Sequence, residues 1–100
     1  MALEIKEDKG IFEVIGELTS QNLGALKVYF ESALEVTDEM VISLEKVTVM
    51  DSSVALFFEK LYKQVAANHK VLAIVGRQNK EISEVMNITK TDYILSSDRV

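Results

Sequence analysis

The first apolar positions of the chain alternate with polar ones. Leu3-Glu4-Ile5-Lys6 has the period of two of a half-buried strand, Asp8-Lys9-Gly10 is a turn signal, and Ile11 to Ile15 resumes the strand. That pattern predicts a β-hairpin. Gly16-Glu17-Leu18-Thr19-Ser20 then breaks the strand and offers hydroxyl N-caps. From there the period lengthens: Leu23, Leu26, Phe30, Ala33 and Leu34 share one helical face, with Gln21, Lys27, Glu31 and Glu35 elsewhere. Met40 to Leu44 is short, β-branched and bounded by charge, as suits a buried parallel strand. The run TVMDSSVALFFEKL passes from β-branched to amphipathic with neither glycine nor proline at the seam. Beyond it Val54, Phe57, Phe58, Leu61 and Val65 predict a second helix, its stripe packed against the sheet with Phe30 and Leu26 nearby. Asn68-His69-Lys70 turns out of this helix, Lys70 to Gly76 is another buried strand, and Ile82, Val85 and Met86 mark a third helix within Asn79 to Asn87. Tyr93-Ile94-Leu95 reads as a last short strand, and residues 96–100 as a loose tail.

The order β-β-α-β-α-β-α-β describes one α/β domain over residues 1–100, a mixed sheet with an antiparallel N-terminal hairpin and parallel remaining strands. Parallel strands joined by helices need right-handed crossovers, which here place the helices mainly on one face.

Composition narrows the function. Hydrophobic residues are 48% and charged residues 27% of 100, the balance of a soluble globular protein. The net charge of −5 and the absence of a basic stripe argue against nucleic acid. With no cysteine there is no disulfide framework or thiol nucleophile. MALEIKEDKG lacks the apolar core of a signal peptide, and VLAIVG is too short to span a bilayer. The location expected is the cytoplasm.

Enzymatic chemistry finds little support. The single histidine, His69, stands at the far end of the helix that begins near Ser53. A four-turn helix separates them by about 20 Å, too far for a Ser-His-Asp triad. The four glycines are scattered, so no phosphate-cradling loop forms. Glu13, Glu17 and Glu45 lie on different segments. Asp51 after a strand has the look of a phosphoacceptor, but the first strand ends in a hairpin turn where further magnesium-binding carboxylates are needed. No catalytic residue, cofactor, metal or small-molecule substrate is expected.

What remains is Asp51-Ser52-Ser53. One such residue suffices to cap a helix, at about 1 kcal/mol; three in a row exceed that need. A serine at a helix N-terminus also sits among free N–H groups and the positive end of the dipole, where an added phosphate is tolerated. The residues alone leave capping and function evenly balanced.

VTVMDSSVALFFEKL resembles the signature segment of STAS domains, the family of bacterial anti-sigma factor antagonists, in which Asp-Ser-Ser-Gly or Asp-Ser-Thr-Gly leads into a helix. VIGELTSQNLGALKVYFESAL resembles the family's Gly-Glu-Leu-Asp loop and first helix. The resemblance covers nearly the whole chain, departing at Val54, where the family has glycine, and Thr19, where it has aspartate. It implies a regulatory binding module that binds an anti-sigma factor that is also a serine kinase, is switched off by phosphorylation, and so controls sigma-factor-dependent transcription. Ser53 matches the phosphorylated hydroxyl, with Asp51 and Ser52 before it and Gly16, Glu17, Leu18 and Thr19 in the adjoining loop. Helical geometry adds Leu56, nearly opposite the apolar face and one turn after Ser53. The alternative within the fold is a non-switching STAS subunit of a larger assembly, such as a lipid-transport ABC system.

Overall fold

Two consecutive residues with positive φ, Lys9 at 54° and Gly10 at 85°, turn the N-terminal hairpin. This two-residue turn has the handedness that matches strand twist, and it sets β1 (Glu4–Asp8) antiparallel to β2 (Ile11–Leu18) with Asp8 opposite Ile11. The structure, a computed structural model, describes residues 3–96. Its sheet has the order β1-β2-β3-β4, with β3 (Glu39–Met50) parallel to β2 and β4 (Val71–Val75) parallel to β3. The mixed sheet expected from the sequence is present.

β2 does not end at Gly16, where the sequence places a break. Gly16 takes φ 110° and the strand continues to Leu18. The cause is pairing with β3, itself far longer than the expected Met40–Leu44. Between Glu13↔Ser43 and Ile15↔Lys46, and again between Gly16↔Val47 and Glu17↔Val49, β3 carries one residue more than β2. Each bulge shifts the side-chain alternation by one. Accordingly the buried positions of β3 run Met40, Ile42, Leu44 and then Val47 and Met50. The charged pair Glu45-Lys46, which bounds the strand expected from the sequence, lies between buried positions and points out.

α1 (Leu23–Val36), α2 (Ser52–Ala67) and α3 (Lys80–Ile88) pack on the side of the sheet that carries these residues. Leu26, Phe30, Phe57, Phe58 and Leu61 are buried there, with Phe30 and Phe58 edge to face at 6.1 Å. Gly76 is required where α3 closes on β3. A Cβ at that position would stand 2.5 Å from Ile82 Cδ1 and 3.2 Å from Leu44 Cβ. The opposite face of the sheet stays open, and Ile11 and Val71 are exposed on it.

Asn79, expected as the first residue of the third helix, is its N-cap: Oδ1 accepts the Glu81 N–H at 3.0 Å. The same side chain donates Nδ2 to the carbonyls of Leu44 at 2.9 Å and Val47 at 2.8 Å, fastening the first β3 bulge. The expected final strand at Tyr93-Ile94-Leu95 is largely absent. Asp92–Ile94 is a 3₁₀ turn, and only Leu95 bridges Ile74 in parallel. Two Arg77 contacts, to the carbonyls of Leu95 and Asp92, hold the segment as a turn. Of the expected loose tail, Ser96 is tied by its N–H to the Ile74 carbonyl at 2.7 Å; residues 97–100 lie outside the described residues.

Candidate functional site

Parallel strands point their C-terminal ends the same way, so β2 and β3 deliver their following loops to one end of the sheet. Leu18 pairs with Met50, and the Asp51 N–H donates to the Leu18 carbonyl at 2.9 Å. Thr19 and Asp51 therefore leave the sheet side by side. Thr48 Oγ1 donates to the Gly16 carbonyl at 3.3 Å, across the second bulge.

The Asp51 side chain does not cap α2, although it occupies the N-cap position in extended conformation. Its Oδ2 accepts the N–H of Ser20 at 2.9 Å, in the 3₁₀ turn Ser20–Asn22 that precedes α1. Asn22 Nδ2 in turn donates to the Glu17 carbonyl at 2.5 Å. Thr19 makes no side-chain cap bond, so the expected hydroxyl cap is replaced by a carboxylate from another segment. The sequence offers Ser20 only as a hydroxyl cap and gives no sign of Asn22 beyond the clustering of small polar residues in Thr19–Asn22. These bonds bring the Gly16–Thr19 segment and Asp51-Ser52-Ser53 together as one surface.

α2 begins one residue earlier than expected, at Ser52, so both serines lie in its first turn. Ser52 is exposed, whereas Ser53 Oγ is buried without a hydrogen-bond partner. Stepping by 3.6 residues, Ser52, Leu56, Glu59 and Lys63 form one outer stripe. Leu56 is 50% exposed on it, opposite buried Val54, Phe58 and Val65. Leu18, expected among the partner-contacting residues, has a side chain of zero exposure. It packs in the core, and only its carbonyl serves the site. Gly16, Glu17, Thr19 and Asp51 are half-buried.

Electrostatically the site joins the positive end of α2 to one carboxylate. Its exposed hydroxyl stands in the first turn, where N–H groups have no intrahelical acceptor. Among the described residues, no three His, Asp or Glu side chains converge as metal ligands. His69 lies at the other end of α2, in the left-handed conformation at φ 61° that closes the helix. No described helix is long and apolar enough to cross a membrane. The arrangement presents a continuous surface with an exposed hydroxyl at the start of α2.

The family model of the STAS domain matches residues 1–97. The chain belongs to the STAS domain family. Solved structures agree in fold. The anti-sigma factor antagonist SpoIIAA in its unphosphorylated form superposes with TM-score 0.77 at 12% identity, covering 98% of this chain and 89% of that one. An anti-sigma factor antagonist from Mycobacterium paratuberculosis gives 0.76 at 16%, covering 94% and 81%. The protein TM1081 gives 0.71 at 17%, covering 96% and 79%. A search of curated proteins finds no match.

Proposed function

We propose that this STAS domain is an anti-sigma factor antagonist. It binds an anti-sigma factor that is also a serine kinase, through the surface made by the Gly16–Thr19 segment, Asp51, Ser52 and Leu56. Phosphorylation at the start of α2 ends that contact and so controls sigma-factor-dependent transcription in the cytoplasm. The observation that carries the reading is the Asp51–Ser20 bond. It makes the two segments that resemble family motifs one surface, beside an exposed leucine and an exposed hydroxyl.

In this reading the hydroxyl modified is that of Ser52, one residue before the Ser53 that the resemblance implies. A kinase must bring ATP within bonding distance of the oxygen it modifies. Ser53 is half-buried with its Oγ turned inward, whereas Ser52 is exposed. A phosphate on Ser52 stands in water, on the same stripe as Leu56. It adds about 1.5 to 2 negative charges beside Asp51. Taking that dianion out of water in the complex costs several kcal/mol unless a cation meets it, enough to lower affinity more than a hundredfold.

The test is intact mass after incubation with the partner kinase and ATP, followed by calorimetric titration. One phosphate on the native protein and on Ser53→Ala, and none on Ser52→Ala, is the expected result. The phosphorylated protein and Leu56→Glu should both bind at least tenfold more weakly than native. Modification that persists in Ser52→Ala and vanishes in Ser53→Ala overturns the assignment to Ser52. Full-strength binding by both the phosphorylated protein and Leu56→Glu overturns the surface.

A further inference from the structure

The 3₁₀ turn Asp92–Ile94 is fixed on both sides of its central residue. Before it, the Thr91 N–H donates to the Met86 carbonyl at 2.8 Å, and Thr91 is fully buried. After it, Ile94 and Leu95 are buried, and Arg77 Nη2 donates to the Leu95 carbonyl at 3.1 Å. Tyr93 is left facing outward, 53% exposed.

An exposed side chain on a short turn ordinarily keeps its rotamer freedom. Tyr93 does not. Its hydroxyl donates to Glu59 Oε2 at 2.6 Å, on α2, 34 positions earlier. The same oxygen is met by Lys63 Nζ at 3.8 Å, one helical turn on, and the Glu59 side chain is only 23% exposed. The ring is thus held by its polar tip while its faces stay open to solvent.

Glu59 belongs to the outer stripe of α2. Leu56 stands three residues before it and Ser52 seven, rises of about 4.5 Å and about 10 Å along the axis. Leu56 and Tyr93, each about half exposed, therefore flank one carboxylate whose charge is already matched. Tyrosine is among the residues that carry most of the energy in protein interfaces. A ring fixed before binding also loses little freedom when it is covered.

We propose that Tyr93 is a partner-contacting residue of the switch surface, with Glu59 as the positioning residue that holds its ring. The contact rests on the binding surface proposed above, which it extends from α2 to the turn after α3. Its occupant is the same partner kinase, because the ring continues the stripe of Ser52 and Leu56. Glu59 is engaged by Tyr93 and Lys63, so the partner brings an uncharged, apolar or aromatic side chain to the space between Leu56 and Tyr93.

The test is calorimetric titration of the unphosphorylated protein with the partner kinase. Tyr93→Ala should bind at least about tenfold more weakly than native. Tyr93→Phe keeps the ring and frees it, as Glu59→Ala does. Both should lose about two- to fivefold, and the double variant no more than either alone. Glu59→Gln keeps an acceptor oxygen and should bind like native, as should Val36→Ala at the exposed end of α1. Circular dichroism establishes that each variant is folded. Nitration by tetranitromethane, mapped by mass spectrometry, needs no variant: Tyr93 should react in the free protein and be protected in the complex. Native-strength binding by Tyr93→Ala, with binding lost in Leu56→Glu, would overturn the role of Tyr93 and leave the surface standing. Native-strength binding by both would remove the surface and Tyr93 with it. Equal losses in Tyr93→Ala and Tyr93→Phe would show that the hydroxyl only braces the turn, and would overturn the contact, as would unprotected nitration.

Discussion

Asp51 reaches across to Ser20, 31 positions earlier, and accepts its N–H at 2.9 Å, leaving its own helix without a side-chain cap. A charge-assisted bond on a partly open surface contributes roughly 1–2 kcal/mol. Asp51→Ala should lower the unfolding free energy by about that amount and accelerate amide exchange at Ser20. Asp51→Asn, which retains an acceptor oxygen, should lose less. Chemical denaturation and amide exchange measure both effects. An unchanged Ser20 exchange rate in Asp51→Ala would show that the bond does not order the loop.

Ser53 carries a buried hydroxyl oxygen with no protein hydrogen-bond partner. A buried polar atom left unmatched costs about 1–3 kcal/mol, and alanine is the better helix former. Ser53→Ala should therefore leave stability unchanged or raise it by about 1 kcal/mol, read from the denaturation midpoint at constant slope. A loss of more than 1 kcal/mol would reveal a partner for that oxygen.

Phe58 and Leu56 lie on opposite sides of α2, one fully buried and one half exposed. Phe58→Ala should cost about 3–5 kcal/mol through the cavity it leaves against Phe30. Leu56→Glu should move the melting temperature by only a degree or two, within about 0.5 kcal/mol. Thermal melts of the two variants compare them directly.

Asn79 joins two elements that neither neighbour could hold alone. Asn79→Ala removes a helix cap and leaves the Leu44 and Val47 carbonyls without their donor, a combined cost of about 2–4 kcal/mol. Asn79→Asp keeps the cap and loses the donors, and should fall between alanine and native in urea titration. Equal stabilities for alanine and aspartate would mean the bulge needs no clamp.

Tyr93 donates its hydroxyl to Glu59 Oε2 at 2.6 Å, and that bond, with the Glu59 charge adding to it, raises the phenol above its ordinary value of 10.0. A phenol raised on folding favours the native state fully below about pH 10, and the contribution is lost as pH rises through its folded value. The melting temperature should fall more steeply above pH 10 in the native protein than in Glu59→Gln. Ultraviolet titration of the phenolate, compared with Tyr93→Phe, should show one late-titrating tyrosine that moves down in Glu59→Gln.

Periodicity and turn chemistry determined much of this molecule locally. The Lys9-Gly10 turn, the buried stripes of α1 and α2, and the parallel pairing of β3 with β4 need only short-range pattern and the handedness of crossovers. The resemblance of two segments to family motifs pointed to the same end of the sheet. Leu56 stood out because a helix has one period wherever it lies. Contacts between distant segments were decided only by the tertiary structure. β2 passes through Gly16, and β3 through Glu45-Lys46, because pairing and the Asn79 clamp absorb two extra residues that local pattern reads as strand ends. Leu95 forms a single bridge because Arg77 holds the preceding residues in a turn. The carboxylate of Asp51, a helix cap in sequence, is a cross-link in space, since the Ser20 N–H is brought to it by the parallel ends of β2 and β3. Packing in the first turn of α2 left Ser52 exposed and turned the Ser53 oxygen inward. No pattern of apolar positions fixes a helix end, or the rotamer of a serine in its first turn, to a single residue.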